Sequence, residues 1–113
     1  QAVGSRGLVM GITFKENCPD VRNTKVIDII RHLQEYHIDV DVYDPWANPE
    51  EVKHEYGVDS IQQLPDNTNY DAVILAVAHK EFTYEFINKL CKDNCVLFDV
   101  KSLLDKEFVD GRL

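Results

Sequence analysis

The sequence predicts an α/β fold, a Rossmann-like three-layer domain with a mainly parallel sheet, and two observations carry that expectation. Short apolar runs recur at GLVMGI (7–12), VDVYD (40–44), DAVILAV (71–77) and CVLFDV (95–100), and segments of helical period lie between them. The first run, continuous and without alternation, suits a strand covered on both faces. Strands alternating with helices favour right-handed crossovers and a parallel sheet.

The first helix is expected from Thr24 to Tyr36, where Val26, Ile29, Ile30 and Leu33 form one apolar stripe and Asp28, Arg31, Gln34 and Glu35 face water. Asn48-Pro49-Glu50-Glu51 places a cap, a first-turn proline and a glutamate three residues after the cap, and Gly57 can close that short helix. Ser60 and Gln63 repeat the capping-box spacing and predict about one more turn. Phe82, Phe86, Ile87 and Leu90 share a third helical face, with Asn94 turning the chain into the last strand. Residues 108–113 are a candidate edge strand.

The 113 residues are enough for one domain, expected over 7–113, with residues 1–6 read as a linker or leader. Twelve basic and twenty acidic residues give a net charge of -8, which argues against nucleic acid as a partner. No apolar run reaches the roughly 20 residues of a membrane-spanning helix. Cys18, Cys91 and Cys95 are odd in number and lack a secretory signal, so a reduced cytoplasm is the expected setting. The Cys91/Cys95 pair has no second pair of ligands, and no metal site is expected.

In an open parallel sheet the ligand crevice lies at the carboxyl ends of the strands. The loop after the first strand has no dinucleotide fingerprint, because Gly4, Gly7 and Gly11 are wrongly spaced for one. It runs instead through eleven residues, Thr13 to Asn23, about twice the usual length. Pro19 stiffens it, the following helix points its amino end toward the crevice, and Lys15 and Arg22 offer donors for phosphate or carboxylate groups. A free-standing nucleotide or anion sensor would use the same crevice. A response-regulator-like domain would carry acidic residues at the end of the first strand, where Phe14 and Lys15 stand.

The string GITFKENCPDVRNTKVIDII resembles the opening of the UDP-binding domain of the UDP-glucose and GDP-mannose dehydrogenase family, with Lys15, Asp20 and Arg22 at the family spacing. VDVYDPWA (40–47), LAVAHKEF (75–82), LFDVKSLL (97–104) and VDGRL (109–113) extend the likeness over nearly the whole chain. The wording is closest to the bacterial branch that oxidises UDP-N-acetylhexosamines for capsule or O-antigen polysaccharides. UDP-N-acetylgalactosamine is the first choice of substrate, with the glucosamine and mannosamine epimers and UDP-glucose as alternatives.

The resemblance implies that Phe14 and Lys15 bind the UDP-sugar, that Arg112 contacts the substrate nucleotide, and that Arg22 reaches NAD held mainly by an amino-terminal domain. It also implies that the nucleophilic cysteine lies in an earlier stretch, so that no catalytic residue is expected here and Cys18 is a loop residue. The family reaction takes C6 of the sugar from hydroxymethyl to carboxylate in two hydride transfers. Its enzymes carry NAD-binding and central domains in one chain, as homo-oligomers. Arg22 has a plainer alternative as the ion-pair partner of Asp20 or Glu16, and Arg112 as an exposed terminal residue. Asp44 is expected to serve the turn beside Pro45. His79 is left outside the site as a group that binds, caps or faces solvent.

Overall fold

The computed structural model describes residues 6–22, 24–64, 70–77 and 79–99. Arg112 and the expected edge strand at 108–113 lie outside them. Four strands, β1 (Arg6–Met10), β2 (Asp39–Tyr43), β3 (Tyr70–Leu75) and β4 (Cys91–Asp99), pair in the order β2-β1-β3-β4. All three pairings are parallel. The helices are α1 (Val26–Glu35), α2 (Pro49–Tyr56) and α3 (Tyr84–Asn88).

Alternate strand residues feed two separate cores, because successive side chains of a strand point to opposite faces. Val9, Val42 and Ile74 pack with Val26 and Ile30 of α1 and Val52 of α2. Leu8, Met10, Val73, Leu75 and Leu97 pack with Phe82 and with Ile87 of α3. Helices therefore cover both faces of the sheet, as the apolar runs predict.

The segment after α2 differs from expectation. Ser60 to Gln63 does not form a helical turn: Ile61 donates its N–H to the Val42 carbonyl at 2.8 Å and accepts from Asp44 N–H at 3.0 Å. This parallel bridge between Ile61 and Tyr43 extends the sheet beyond β2 by one residue. Two open ladder groups on the β2 edge win over a single local turn, since buried backbone groups must find partners. The bridge also explains why α1 and α2 share a face. The chain steps from β1 to β2 to Ile61 in one direction, and crossovers of one hand then put both helices on the same side. It reverses only on returning to β3, so the switch point lies between the carboxyl ends of β1 and β3.

Other boundaries shift for identifiable reasons. Arg6, read from sequence as the end of a leader, opens β1: its N–H donates to Asp71 at 2.9 Å and its guanidinium meets Asp41 at 2.9 Å. α1 begins two residues later than expected, and Thr24 Oγ1 accepts the Val26 N–H just ahead of it. β4 starts at Cys91, so Asn94 lies within its span and not in a turn before it. The register nevertheless breaks between the Tyr70–Cys91 and Ala72–Val96 pairs, and regular pairing resumes where the apolar run begins. Cys95 is disulfide-bonded and Cys18 is a free cysteine.

α2 follows its sequence closely. Asn48 accepts the Glu50 N–H at 2.8 Å, Pro49 occupies the first turn, and Gly57 closes the helix at φ 69°. The tightest backbone constraint is Gly11, at φ +95°, where a Cβ would stand 2.6 Å from Val77 Cβ and 2.9 Å from Val77 N. Gly11→Ala would combine a disfavoured backbone with a clash at the β1/β3 crossing. It is expected to cost about 2–6 kcal/mol, read as a lower urea midpoint. An unchanged midpoint would show that the crossing yields more readily than its geometry indicates.

Candidate functional site

Three loops meet at the carboxyl edge of the sheet, following β1, β2 and β3, and a buried carboxylate joins them. Asp44, just past β2, is 0% exposed. Its Oδ2 accepts the Ile12 N–H at 2.7 Å and the Thr13 N–H at 3.2 Å, and its Oδ1 accepts the Trp46 N–H at 2.8 Å. The last of these is the expected turn role. The first two reach into the β1 loop, and His79 Nε2, from the β3 loop, lies 3.0 Å from Oδ2. Burial raises the Asp44 pKa, but the hydrogen bonds from His79, the Ile12 N–H and the Trp46 N–H outweigh it and leave the group below its ordinary value.

His79 is 1% exposed, so a solvent-facing role is excluded. The Asn17 N–H donates to its Nδ1 at 2.9 Å, which leaves the ring proton on Nε2, directed at Asp44. Thr13 Oγ1 lies 3.2 Å from the same nitrogen and donates its own proton to the Lys15 carbonyl at 2.9 Å. Trp46 stacks on the imidazole with centroids 5.8 Å apart, and Phe82 meets it edge-on at 5.4 Å. The trio is no nucleophilic triad. In a triad the carboxylate and the hydroxyl engage opposite ring nitrogens, whereas here both sit at Nε2 and Thr13 is fully buried.

The long loop is accordingly pinned along its length. Phe14 N–H donates to the Asp20 carbonyl at 2.7 Å. Asn17 Oδ1 accepts the Lys80 N–H at 2.9 Å, and Tyr56 of α2 donates its hydroxyl proton to the Val21 carbonyl at 2.6 Å. Phe14 remains 55% exposed, and Lys15 beside it is exposed. A fixed backbone thus presents one aromatic ring and one ammonium group to solvent at the switch point.

Arg22 stands apart from that pair. Its Nε and Nη2 contact the two oxygens of Asp20 at 3.1 and 3.3 Å, which realises the ion-pair alternative, and the side chain is still 75% exposed. The Arg22 hydrogen bonds hold the Asp20 carboxyl below its usual range. Arg22 lines an open groove of about 640 Å³ against α2, with Cys18, Glu51, His54 and Glu55; Phe14 and Lys15 are not among its lining residues. The loop therefore separates its two cations, one at the sheet edge and one over an acidic helix.

The loop does not fit a dinucleotide by itself. A pyrophosphate cradle needs free backbone N–H groups after β1, and those of Ile12 and Thr13 are both taken by Asp44. The two side chains are fully buried as well. Sequence reasoning missed Asp44 and His79 as a unit. The available signal was a lone aspartate closing one buried strand and a lone histidine following another.

Because the folded-state pKa of Asp44 lies below the unfolded value of about 3.9, its contribution is complete above that pH and is lost as pH falls through the folded pKa. Asp44→Asn is expected to lower stability at pH 7 by about 1.5–3 kcal/mol. It should also flatten the loss of stability below about pH 4. Urea denaturation across pH checks both effects; a variant with the parent's acid limb would remove Asp44 as a cause of acid sensitivity.

Comparison with known proteins agrees with this architecture. Residues 8–106 match the family described as UDP-glucose/GDP-mannose dehydrogenase family, UDP binding domain. A Pseudomonas aeruginosa protein named UDP-N-acetyl-D-glucosamine 6-dehydrogenase is 55% identical over 97% of the chain, and one of the same name from Salmonella typhi is 45% identical over 97%. The chain spans about a quarter of the length of these relatives, 26% in each case. A solved NDP-N-acetyl-D-galactosaminuronic acid dehydrogenase from Methanosarcina mazei superposes with a TM-score of 0.78 at 21% identity, over 97% of this chain and 25% of that one. That likeness concerns the fold. The chain belongs to the UDP-glucose/GDP-mannose dehydrogenase family, as its UDP binding domain.

Proposed function

We propose that this chain is the nucleotide-sugar-binding domain of an NAD-dependent UDP-N-acetylhexosamine 6-dehydrogenase of bacterial surface polysaccharide synthesis, a cytoplasmic and homo-oligomeric enzyme. The observation that carries the proposal is the Phe14–Lys15 pair, held outward at the β1/β3 switch point by a backbone fixed on both sides. The aromatic ring offers a flat contact, and the ammonium offers a charge-assisted bond to a pyrophosphate oxygen or to the sugar. Arg112 is proposed as a further contact to the nucleotide.

The names of the two relatives favour UDP-N-acetylglucosamine over the galactosamine epimer suggested by the sequence wording. The two sugars differ at C4, and the groups that read that centre are assigned to the remainder of the enzyme. NAD is assigned there too, since Asp44 occupies the N–H groups a cradle would need. Arg22, exposed and braced by Asp20, is proposed to reach that cofactor from this side. The contribution of this domain is then binding energy from the remote, unreactive part of the substrate.

Titration calorimetry with UDP tests the division of roles. Lys15→Ala is expected to raise the Kd by about 10- to 100-fold, the loss of one charge-assisted contact worth about 1.5–3 kcal/mol. Arg22→Ala should leave it within about threefold, because its ligand is elsewhere. Loss of UDP binding in Arg22→Ala with Lys15→Ala unaffected would reverse the assignments.

A further inference from the structure

We propose that His79 is the positioning residue of the nucleotide-sugar site, setting the loop that presents Phe14 and Lys15 through its bond to Asn17. This rests on the binding role proposed above for that pair. His79 is 1% exposed, so it acts through the loop and not on the ligand. Each bond from its ring leads to the β1 loop. Nδ1 accepts the Asn17 N–H, and Nε2 faces Thr13 Oγ1 and the same Asp44 oxygen that holds the Ile12 and Thr13 N–H groups. Residues 13 and 17 thus bracket the exposed pair.

The two ends of the ring are not equivalent. Asp44 is already held by Ile12, Thr13 and Trp46 N–H groups and keeps its place without the imidazole. Asn17 has no such support on its nitrogen. It sits at φ +55°, a left-handed conformation that asparagine adopts more readily than most L residues but that local hydrogen bonds must hold. Its N–H on His79 and its Oδ1 on the Lys80 N–H hold that reversal. A phenylalanine could pack between Trp46 and Phe82, but only an acceptor at the Nδ1 position can tie down Asn17.

Two conservative variants separate the ring's ends. His79→Asn keeps an acceptor near Nδ1 and loses the reach to Asp44; His79→Gln keeps the reach and loses the acceptor. By UDP titration, His79→Asn should stay within about threefold of the parent while His79→Gln weakens binding about tenfold. In a Lys15→Ala background His79→Gln should cost less than about threefold more, since the charge-assisted contact it positions is already gone and only the Phe14 contact remains. Equal losses in the two variants, or an undiminished effect without Lys15, would overturn the proposal. Absence of UDP binding by the parent chain, or an unaffected Lys15→Ala, would instead strike the binding role, and the inference would fall with it. Hydrogen exchange on the parent chain guards against His79→Gln failing to fold. The Asn17 amide should exchange at least about tenfold more slowly than that of Glu16, and equal rates would overturn the proposal.

Discussion

Four hydrogen bonds converge on the buried carboxylate of Asp44, from Ile12, Thr13, Trp46 and His79. A charge removed from water is tolerated only when its lone pairs are filled, so the three loops carrying these donors are bound to one arrangement. The long loop after β1 could otherwise be mobile, as loops of its length often are. Here it inherits the rigidity of the sheet, and Gly11 lets that sheet close tightly enough for β1 and β3 to deliver their loops to the same place.

The same carboxylate decides which ligand chemistry the domain can perform. In a dinucleotide-binding turn, the first N–H groups after β1 are left for a pyrophosphate. In this chain those of Ile12 and Thr13 are spent internally, which leaves exposed side chains on the loop as the groups proposed for recognition. Lys15 and Arg22 point to separate regions, one at the switch point and one over the carboxylates of α2. A domain built this way suits a division of labour in which one half of an enzyme grips the nucleotide and another supplies the redox cofactor.

Much of the fold is legible locally. The apolar runs mark the strands because burial on both faces leaves no polar alternation, and Asn48, Pro49 and Gly57 mark α2 because its ends need those backbone properties. Phe14, Lys15 and Arg22 are legible as a spaced motif. The His79–Asp44 pair is not, since its members lie 35 residues apart and His79 meets Asn17 across 62. No local pattern reports a bond that exists only once three strands are in register. Ser60 and Gln63 mislead for the converse reason, a plausible local turn losing to the open edge of β2. The start of β4 is obscured by the register break near Tyr70, where pairing and side-chain pattern fall out of step.

Ligand recognition is proposed to be confined to the carboxyl edge of the sheet, on loops held by one buried network. Amide chemical-shift mapping of the chain during UDP titration measures this most directly. The largest shifts are expected at Thr13 to Asn17 and at His79 to Glu81, with α1 and the amino ends of β1 and β2 unmoved. Shifts centred instead on Arg6, Asp39 and Asp41, at the opposite edge of the sheet, would contradict it.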